Sequence, residues 1–272
     1  MSQSVALSFS CQTRCFCPSC QQKRAELFAE KLREEILAPV PHTHTVFTIP
    51  IALRRLFLRE RRLLGLLTRC AYETVKRCYR AVLGRKDGVP GMVAAIQTFG
   101  SQAQWNPHCH CLVAAGLFLP GGEFVPAPPY DEEMERLLTE TWQRLVLDAL
   151  VSEERLTDAF RERLLSFRHG SGFSVYGRHL VLNEEPARLA HMARYAVRAP
   201  ADRRPHRGLL RPRSRPSWAA CRLYPVIYAS SKTSLKPLFP SRCRGWYSKR
   251  RSQPVPARAW STASRSSSPR AP

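Results

Sequence analysis

The stretch "WNPHCHCLV", residues 105–113, sets His108 and His110 two positions apart among residues that otherwise read as a buried strand. Side chains of a strand alternate between its faces. The two imidazoles therefore project from one face, about 7 Å apart along the chain, while Cys109 and Cys111 project from the other. Two imidazoles at that spacing can grip one divalent cation and leave coordination positions open. Open positions let a metal bind a phosphate oxygen as a Lewis acid. An isolated pair of this kind is commonly two locally hydrogen-bonded histidines, so a metal reading requires a third ligand and a nucleophile.

The flanking sequence builds a sheet around this strand. "GMVAAIQTFG" (91–100) reads as a strand, "SQAQWNP" turns the chain, and "HCHCLVAAGLF" (108–118) returns, which predicts an antiparallel hairpin. "HTVFTIP" (44–50) and "FSVYGRHLVL" (173–182) alternate as further strands. Helical spacing is predicted over 22–37, where Pro39 and Pro41 end it, and over 52–83, with Leu53, Leu56, Phe57, Leu63, Leu67 and Cys70 in register. It recurs over 131–150, which includes Trp142, and over 153–167. Residues 11–20 are predicted as a cysteine-rich loop, and "GGEFVPAPPY" (121–130) as loop. Asn183 reads as the N-cap of a last helix reaching about Arg198, with Glu184, Glu185 and Pro186 in its first turn. Strands and helices are interspersed, so the fold class is α+β: a mainly antiparallel sheet with flanking helices.

The last helix supplies the missing chemistry. In "EEPARLAHMARYAVRAP" (184–200) the positions of Leu189, Met192, Ala193 and Ala196 follow an i, i+3, i+4, i+7 stripe and should face the core. The opposite face carries Arg188, His191, Tyr195 and Arg198. A tyrosine between arginines is a plausible covalent nucleophile for a phosphodiester, with the arginines, Arg194 among them, holding flanking phosphates. A solvated surface tyrosine is the plainer alternative.

Charge points to the partner. The chain of 272 residues carries 43 Lys+Arg against 21 Asp+Glu, a formal +22. Such an excess suits a polyanion, most often nucleic acid. Residues 201–272 hold 17 of the basic residues and one acid, and they are rich in Pro, Ser and Arg. Such a stretch buries little apolar surface and is expected to be a disordered tail, either a solvated appendage or a nucleic-acid-binding arm. No run approaches the ~18 uncharged apolar residues of a membrane-spanning helix. The first residues, "MSQSVALSFSCQTR", do not read as a signal peptide. The expected location is therefore a bacterial cytoplasm, with the ten cysteines as thiols or metal ligands rather than disulfides.

Taken together, the H-x-H strand and the tyrosine helix resemble the HUH endonucleases, and within them the rolling-circle transposases of the IS91-like insertion sequences. Three stretches carry the resemblance: "FSCQTRCFCPSCQQKRA" (9–25), "AAIQTFGSQAQWNPHCHCLVAAG" (94–116) and "HMARYAVRAP" (191–200). "HTVFTIP" and the leucine-rich helix after it also fit, so the resemblance covers roughly residues 8–200. It implies a DNA transposase that nicks single-stranded DNA with Tyr195 and leaves a 5′-phosphotyrosine link and a free 3′-hydroxyl. It also implies Mg²⁺ or Mn²⁺ at His108 and His110. Gln97, on the neighbouring strand, is the favoured third ligand, and His191 the alternative.

The chain departs from the family's pattern in three places. Many relatives carry two tyrosines four residues apart, but here the first of those positions is His191. The N-terminal zinc-binding segment looks shortened: Cys17-Pro-Ser-Cys20 is a zinc knuckle with Cys11 as a third ligand, and Cys15 is an unusual addition. After about Ala199 the resemblance gives way to the basic tail, with "RCRGWYSKRR" (242–251) as a faint later echo, the mark of a frameshifted or decayed gene. The expected domains are a partial zinc-binding segment and helix (1–38), an HUH-like catalytic domain (39–200) and the tail (201–272). A zinc-dependent nucleic-acid-binding adapter without catalysis, and a metal-dependent nuclease using water, remain the alternative functions.

Overall fold

The computed structural model describes residues 18–100, 104–166, 172–182 and 185–196, with the backbone alone at 18–21, 178, 179 and 186. The hairpin read from the opening stretch forms. β2 (Met92–Phe99) and β3 (Trp105–Ala114) pair antiparallel, with Gln97 opposite His108 and Ala95 opposite His110. β1 (His42–Thr48) pairs with the other edge of β3, also antiparallel, and sets Thr48 opposite His108 and Val46 opposite His110. β6 (Ser174–Val181) follows β1, so the sheet runs β2-β3-β1-β6. The two histidines therefore lie on an inner strand, with a neighbour on each side to fix their positions. The architecture is α+β, as the sequence predicts.

The two faces of the sheet differ chemically. One presents Phe47, Ile96, Cys109, Cys111 and Val175. These pack with Leu67, Ala71, Val75, Trp142 and Val146 from α3 (Leu64–Val82) and α4 (Glu132–Ser152) into the main core. Trp142 is fully buried there, its indole N–H donating to the Thr48 carbonyl at 2.8 Å. On the other face Val93, Ala95 and Leu112 are buried, together with Ala25 and Ala29 of α1 (Pro18–Lys31) and Leu32 of the π-helical turn that continues it (Leu32–Ile36). α6 (Pro186–Ala196) completes this layer with Leu189, Met192, Ala193 and Ala196, the four positions that the helical stripe assigned to the core.

Several boundaries fall elsewhere than the sequence reading put them. The 52–83 helix is interrupted: α2 (Ile51–Arg59) stops at Glu60, and a 3₁₀ turn (Arg61–Leu63) leads into α3. The stripe through Leu53 and Phe57 needs an apolar residue at 60 or 61, where the chain has Glu60 and Arg61. The Glu60 carboxylate instead pairs with Arg62 at 3.1 Å and Arg155 at 3.2 Å. The third strand also breaks, at Ala115. A short β4 (Gly116–Phe118) pairs with β5 (Phe124–Pro126), which lies inside the segment predicted as loop. Gly116 permits this, because a Cβ there would collide with the Val125 carbonyl oxygen. Residues 153–167 hold a shorter α5 (Asp158–Leu165), capped by the Thr157 hydroxyl, which accepts from the Phe160 N–H. α1 already begins at Pro18, so Cys20 is helical rather than in a loop. α6 starts at Pro186, a position where proline's missing N–H costs nothing. Glu185, expected inside the first turn, precedes the helix, and its carbonyl accepts from Arg188 and Leu189. Asn183, the expected cap, and the 201–272 tail lie outside the described residues. No helix among the described residues is long and apolar enough to cross a membrane.

Candidate active site

Strand alternation brings His108, His110 and Gln97 to one face of the sheet, and α6 crosses that face with Tyr195 near its C-terminal end. The rings of His108 and His110 meet edge-on, with centroids 4.8 Å apart. The Tyr195 ring stands edge-on to His110 at 5.3 Å. His110 is 3% exposed and Tyr195 36%, so the cluster has a buried floor and a partly exposed tyrosine.

Hydrogen bonds decide which atoms can donate to a cation. His108 Nδ1 lies 2.7 Å from the Asn106 carbonyl oxygen. A carbonyl only accepts, so the proton is on Nδ1 and the lone pair of the neutral ring is on Nε2. Gln97 is 3% exposed, and its Nε2 donates to the backbone carbonyls of Tyr195 at 3.0 Å and Ala196 at 3.1 Å. Both partners accept, which fixes the amide orientation. Gln97 Oε1 is buried and meets no hydrogen-bond partner. A buried amide oxygen in that condition costs about 1–3 kcal/mol unless something electropositive reaches it.

Among the described residues, no group of three His, Cys, Asp or Glu side chains converges as a metal site. A third donor has to come from another residue type, and the Gln97 amide oxygen beside His108 is of that type. The amide oxygen is a donor suited to Mg²⁺ or Mn²⁺ and the imidazoles to divalent transition metals, and three such ligands would leave positions for water or phosphate oxygens.

The sequence reading missed one member of the cluster. His44 on β1 lies edge to edge with His110, with centroids 5.2 Å apart and planes 6° apart, its Nε2 3.0 Å from His110 Nδ1. Its ring also meets Tyr195 edge-on at 5.9 Å. The signal was present, since "HTHTV" (42–46) is itself a strand with alternate histidines. His42, the other member of that pair, is buried, and burial pushes its pKa down to about 4 against a smaller opposing effect of a hydrogen bond with the Val40 backbone.

The remaining expected residues are placed less centrally. His191 is exposed one turn before Tyr195 and has no ring contact with the cluster. The Arg188 guanidinium pairs with Glu185 at 3.1 Å, and that of Arg194 with Glu26 of α1 at 2.8 Å. Arg198, Cys11 and Cys17 lie outside the described residues, and of Cys20 only the backbone is described.

Comparison with known proteins assigns these elements to a family. A transposase zinc-binding domain of the IS91 type matches residues 2–49, and a family described as "Putative transposase" matches residues 91–204, which include Gln97, His108, His110 and Tyr195. Over these two stretches the chain is similar to IS91-like transposases. It is 33% identical over 144 residues to the "Putative transposase y4qJ" of Sinorhizobium fredii, a match covering 52% of this chain and 35% of that protein. It is 31% identical over 137 residues to the "Transposase for insertion sequence element IS801" of Pseudomonas savastanoi pv. phaseolicola, covering 50% of this chain and 31% of that one. The matched part thus spans about a third of each of these transposases. No solved structure matches this chain at comparable significance.

Proposed function

We propose that the chain is the catalytic part of a DNA transposase that nicks and rejoins single-stranded DNA through Tyr195. The observation that carries this reading is the 5.3 Å approach of the Tyr195 ring to His110, beside His108 and the unpartnered Gln97 oxygen. A single phosphate can touch the phenol and the imidazole face together. The Tyr195 oxygen attacks the phosphorus, the bond to the 3′ oxygen breaks, and a 5′-phosphotyrosine link and a 3′-hydroxyl remain. The phenol gives up its proton and the departing oxygen gains one. The phosphodiester energy is kept in the new link, so the 3′-hydroxyl of another strand can reverse the step without ATP. Mg²⁺ or Mn²⁺ held by His108, His110 and Gln97 would supply Lewis-acid polarisation of the phosphate. The protein's part is to align the phenol and hold the imidazoles beneath it.

The ion pairs of Arg188 and Arg194 fit a DNA-facing role. Both pairs are partly exposed to solvent, and surface pairs of that kind are worth about 0–1 kcal/mol, so a phosphate can displace the carboxylates. Arg198 is the third basic residue proposed to track the backbone. The match of residues 2–49 to a zinc-binding domain supports Zn²⁺ on Cys11, Cys17 and Cys20, which metal analysis of the full chain with and without Cys20→Ser would read.

The test of the central claim is incubation of the full chain with end-labelled single-stranded DNA and Mg²⁺ or Mn²⁺, followed by a denaturing gel. A covalent protein–DNA band that Tyr195→Phe abolishes is expected. Cleavage without that band would make the chain a water-using nuclease. Retardation on a native gel alone would make it a binding adapter, or a decayed copy.

A further inference from the structure

The histidine that the sequence reading passed over has a contact that none of the proposed ligands duplicates. His44 lies on β1, and its ring is nearly parallel to His110, with Nε2 3.0 Å from His110 Nδ1. One of these two nitrogens must carry the proton and the other accept it. The chemistry of the site chooses between the two arrangements. If His44 donated, His110 Nδ1 would hold the lone pair in the hydrogen bond and its Nε2 would carry hydrogen, which cannot ligate a cation. If His110 donates, its Nε2 lone pair is free of the proton, and the proton of the neutral His44 sits on Nδ1. His108 already has the equivalent arrangement, its Nδ1–H held by the Asn106 carbonyl at 2.7 Å. The two imidazoles would then be matched, each donating Nδ1–H to a fixed acceptor.

We propose that His44 is a positioning residue that accepts the His110 Nδ1–H, locks His110 in the tautomer with its lone pair on Nε2, and braces Tyr195 through an edge contact of the rings. The proposal rests on the reading of His108 and His110 as metal ligands. Acceptors behind metal-bound histidines orient the ring and raise its basicity, and their loss typically weakens metal affinity roughly 10–100-fold. The usual acceptor is a carboxylate, carbonyl or water. A neutral imidazole does the same task without adding negative charge beside a scissile phosphate. The 6° interplanar angle and the 5.2 Å centroid separation set the two rings edge to edge in nearly one plane, as a 3.0 Å N–H···N bond requires. The 5.9 Å edge contact with Tyr195 ties the same ring to the nucleophile.

The test compares the full chain with His44→Ala and His44→Gln, using Mn²⁺ alone as the probe. Gln keeps an accepting oxygen at a similar reach, and Ala removes it. Imidazole ¹⁵N shifts of His110, assigned by their loss in His110→Gln, report its tautomer in the metal-free protein. Electron paramagnetic resonance of free Mn²⁺ reports affinity. The wild type should show a protonated Nδ1 on His110. His44→Ala should show mixed tautomers and bind Mn²⁺ at least tenfold more weakly, and His44→Gln should recover most of both. Wild-type tautomer and affinity in His44→Ala overturn the inference while the metal reading stands. Failure of the wild type to bind Mn²⁺ overturns both, and the same experiment tells the two failures apart. Unchanged far-ultraviolet circular dichroism in both variants confirms that the sheet persists, as expected for a half-buried position on an inner strand.

Discussion

Replacing Gln97 by Glu separates two tasks that the structure gives to one side chain. The amide nitrogen holds the carbonyls of Tyr195 and Ala196 at 3.0 and 3.1 Å, and the amide oxygen is buried without a partner on the strand next to His108. Glutamate keeps an oxygen for a cation and deletes the donor. Two carbonyls at the C-terminal, negative end of α6 then face a carboxylate. Leaving each buried acceptor unsatisfied costs about 1–3 kcal/mol, so the end of the helix loses on the order of 2–6 kcal/mol of anchoring. The 11 described residues of α6 are too few to be stable without tertiary contacts. A loss of 2 kcal/mol alone corresponds to roughly a 30-fold fall in the population with Tyr195 seated.

Mn²⁺ affinity should therefore be equal to or above that of the wild type, while the rate of covalent adduct formation with single-stranded DNA falls at least tenfold. The melting temperature without metal should also drop, and Mn²⁺ should raise it by more than in the wild type, because the cation screens the new carboxylate. The assay is a denaturing-gel time course at saturating Mn²⁺, paired with thermal melts with and without the metal. Adduct formation at the wild-type rate, with an unchanged melting temperature, would refute the claim that the amide seats the nucleophile. A parallel loss of Mn²⁺ binding and of adduct would refute the separation of the two tasks.

The buried His42 makes stability depend on pH. Its folded pKa of about 4 lies below the usual 6.5, so between these values the unfolded chain binds more protons. Stability then falls as pH drops through this window and levels off below it, by about 3 kcal/mol in total. Urea midpoints at pH 7 and pH 4 should differ less in His42→Gln than in the wild type, and identical pH profiles would contradict this. The thiols of Cys70, Cys78, Cys109 and Cys111 should resist iodoacetamide in the native protein and react on unfolding, since burial pushes each up, Cys70 to about 12. Peptide mapping that finds Cys109 alkylated as fast as an exposed thiol would show that the sheet is not packed as described.

Much of the site is legible because its periodicities are local. His108 and His110 share a face through the two-residue period of a strand, and Tyr195 lies opposite the buried Leu189–Met192–Ala193–Ala196 stripe through the helical period. The break at Glu60 also has a local signal, two charges at the next places on the apolar stripe, which the reading of one helix over 52–83 overlooks. What was not legible depends on pairings between distant residues. β1 lies next to β3 although β2 follows it in the chain, and nothing in "HTHTV" says which strand its histidines will face. Gln97 reads as a candidate ligand from its strand, but its grip on α6 joins residues 98 and 99 positions apart. The β4–β5 pair is three residues long on each side, too short for alternation to declare itself.

The same alternation couples the fold to the chemistry more tightly than a loop-borne site would. β3 presents thiols to the α3–α4 core and imidazoles to the α6 side, and a slip of one residue would exchange them. His108 and His110 would then face Phe47 and Trp142, where a neutral imidazole without a partner costs about 1–3 kcal/mol. Cys109 and Cys111 would occupy the site, where they would lose the packing that small apolar side chains gain in the core. Both consequences disfavour the slipped register, so the residues proposed for catalysis also help to specify the pairing of the central strands. The imidazoles can be kept on their face because α6 covers it incompletely and leaves Tyr195 about a third exposed. Closer packing over that face would bury more apolar surface but close the phenol to a phosphate. The exposure of Tyr195 is therefore the feature through which stability and reactivity compete. Substitutions that tighten α6 against the sheet without touching the histidines should raise the melting temperature and slow adduct formation together.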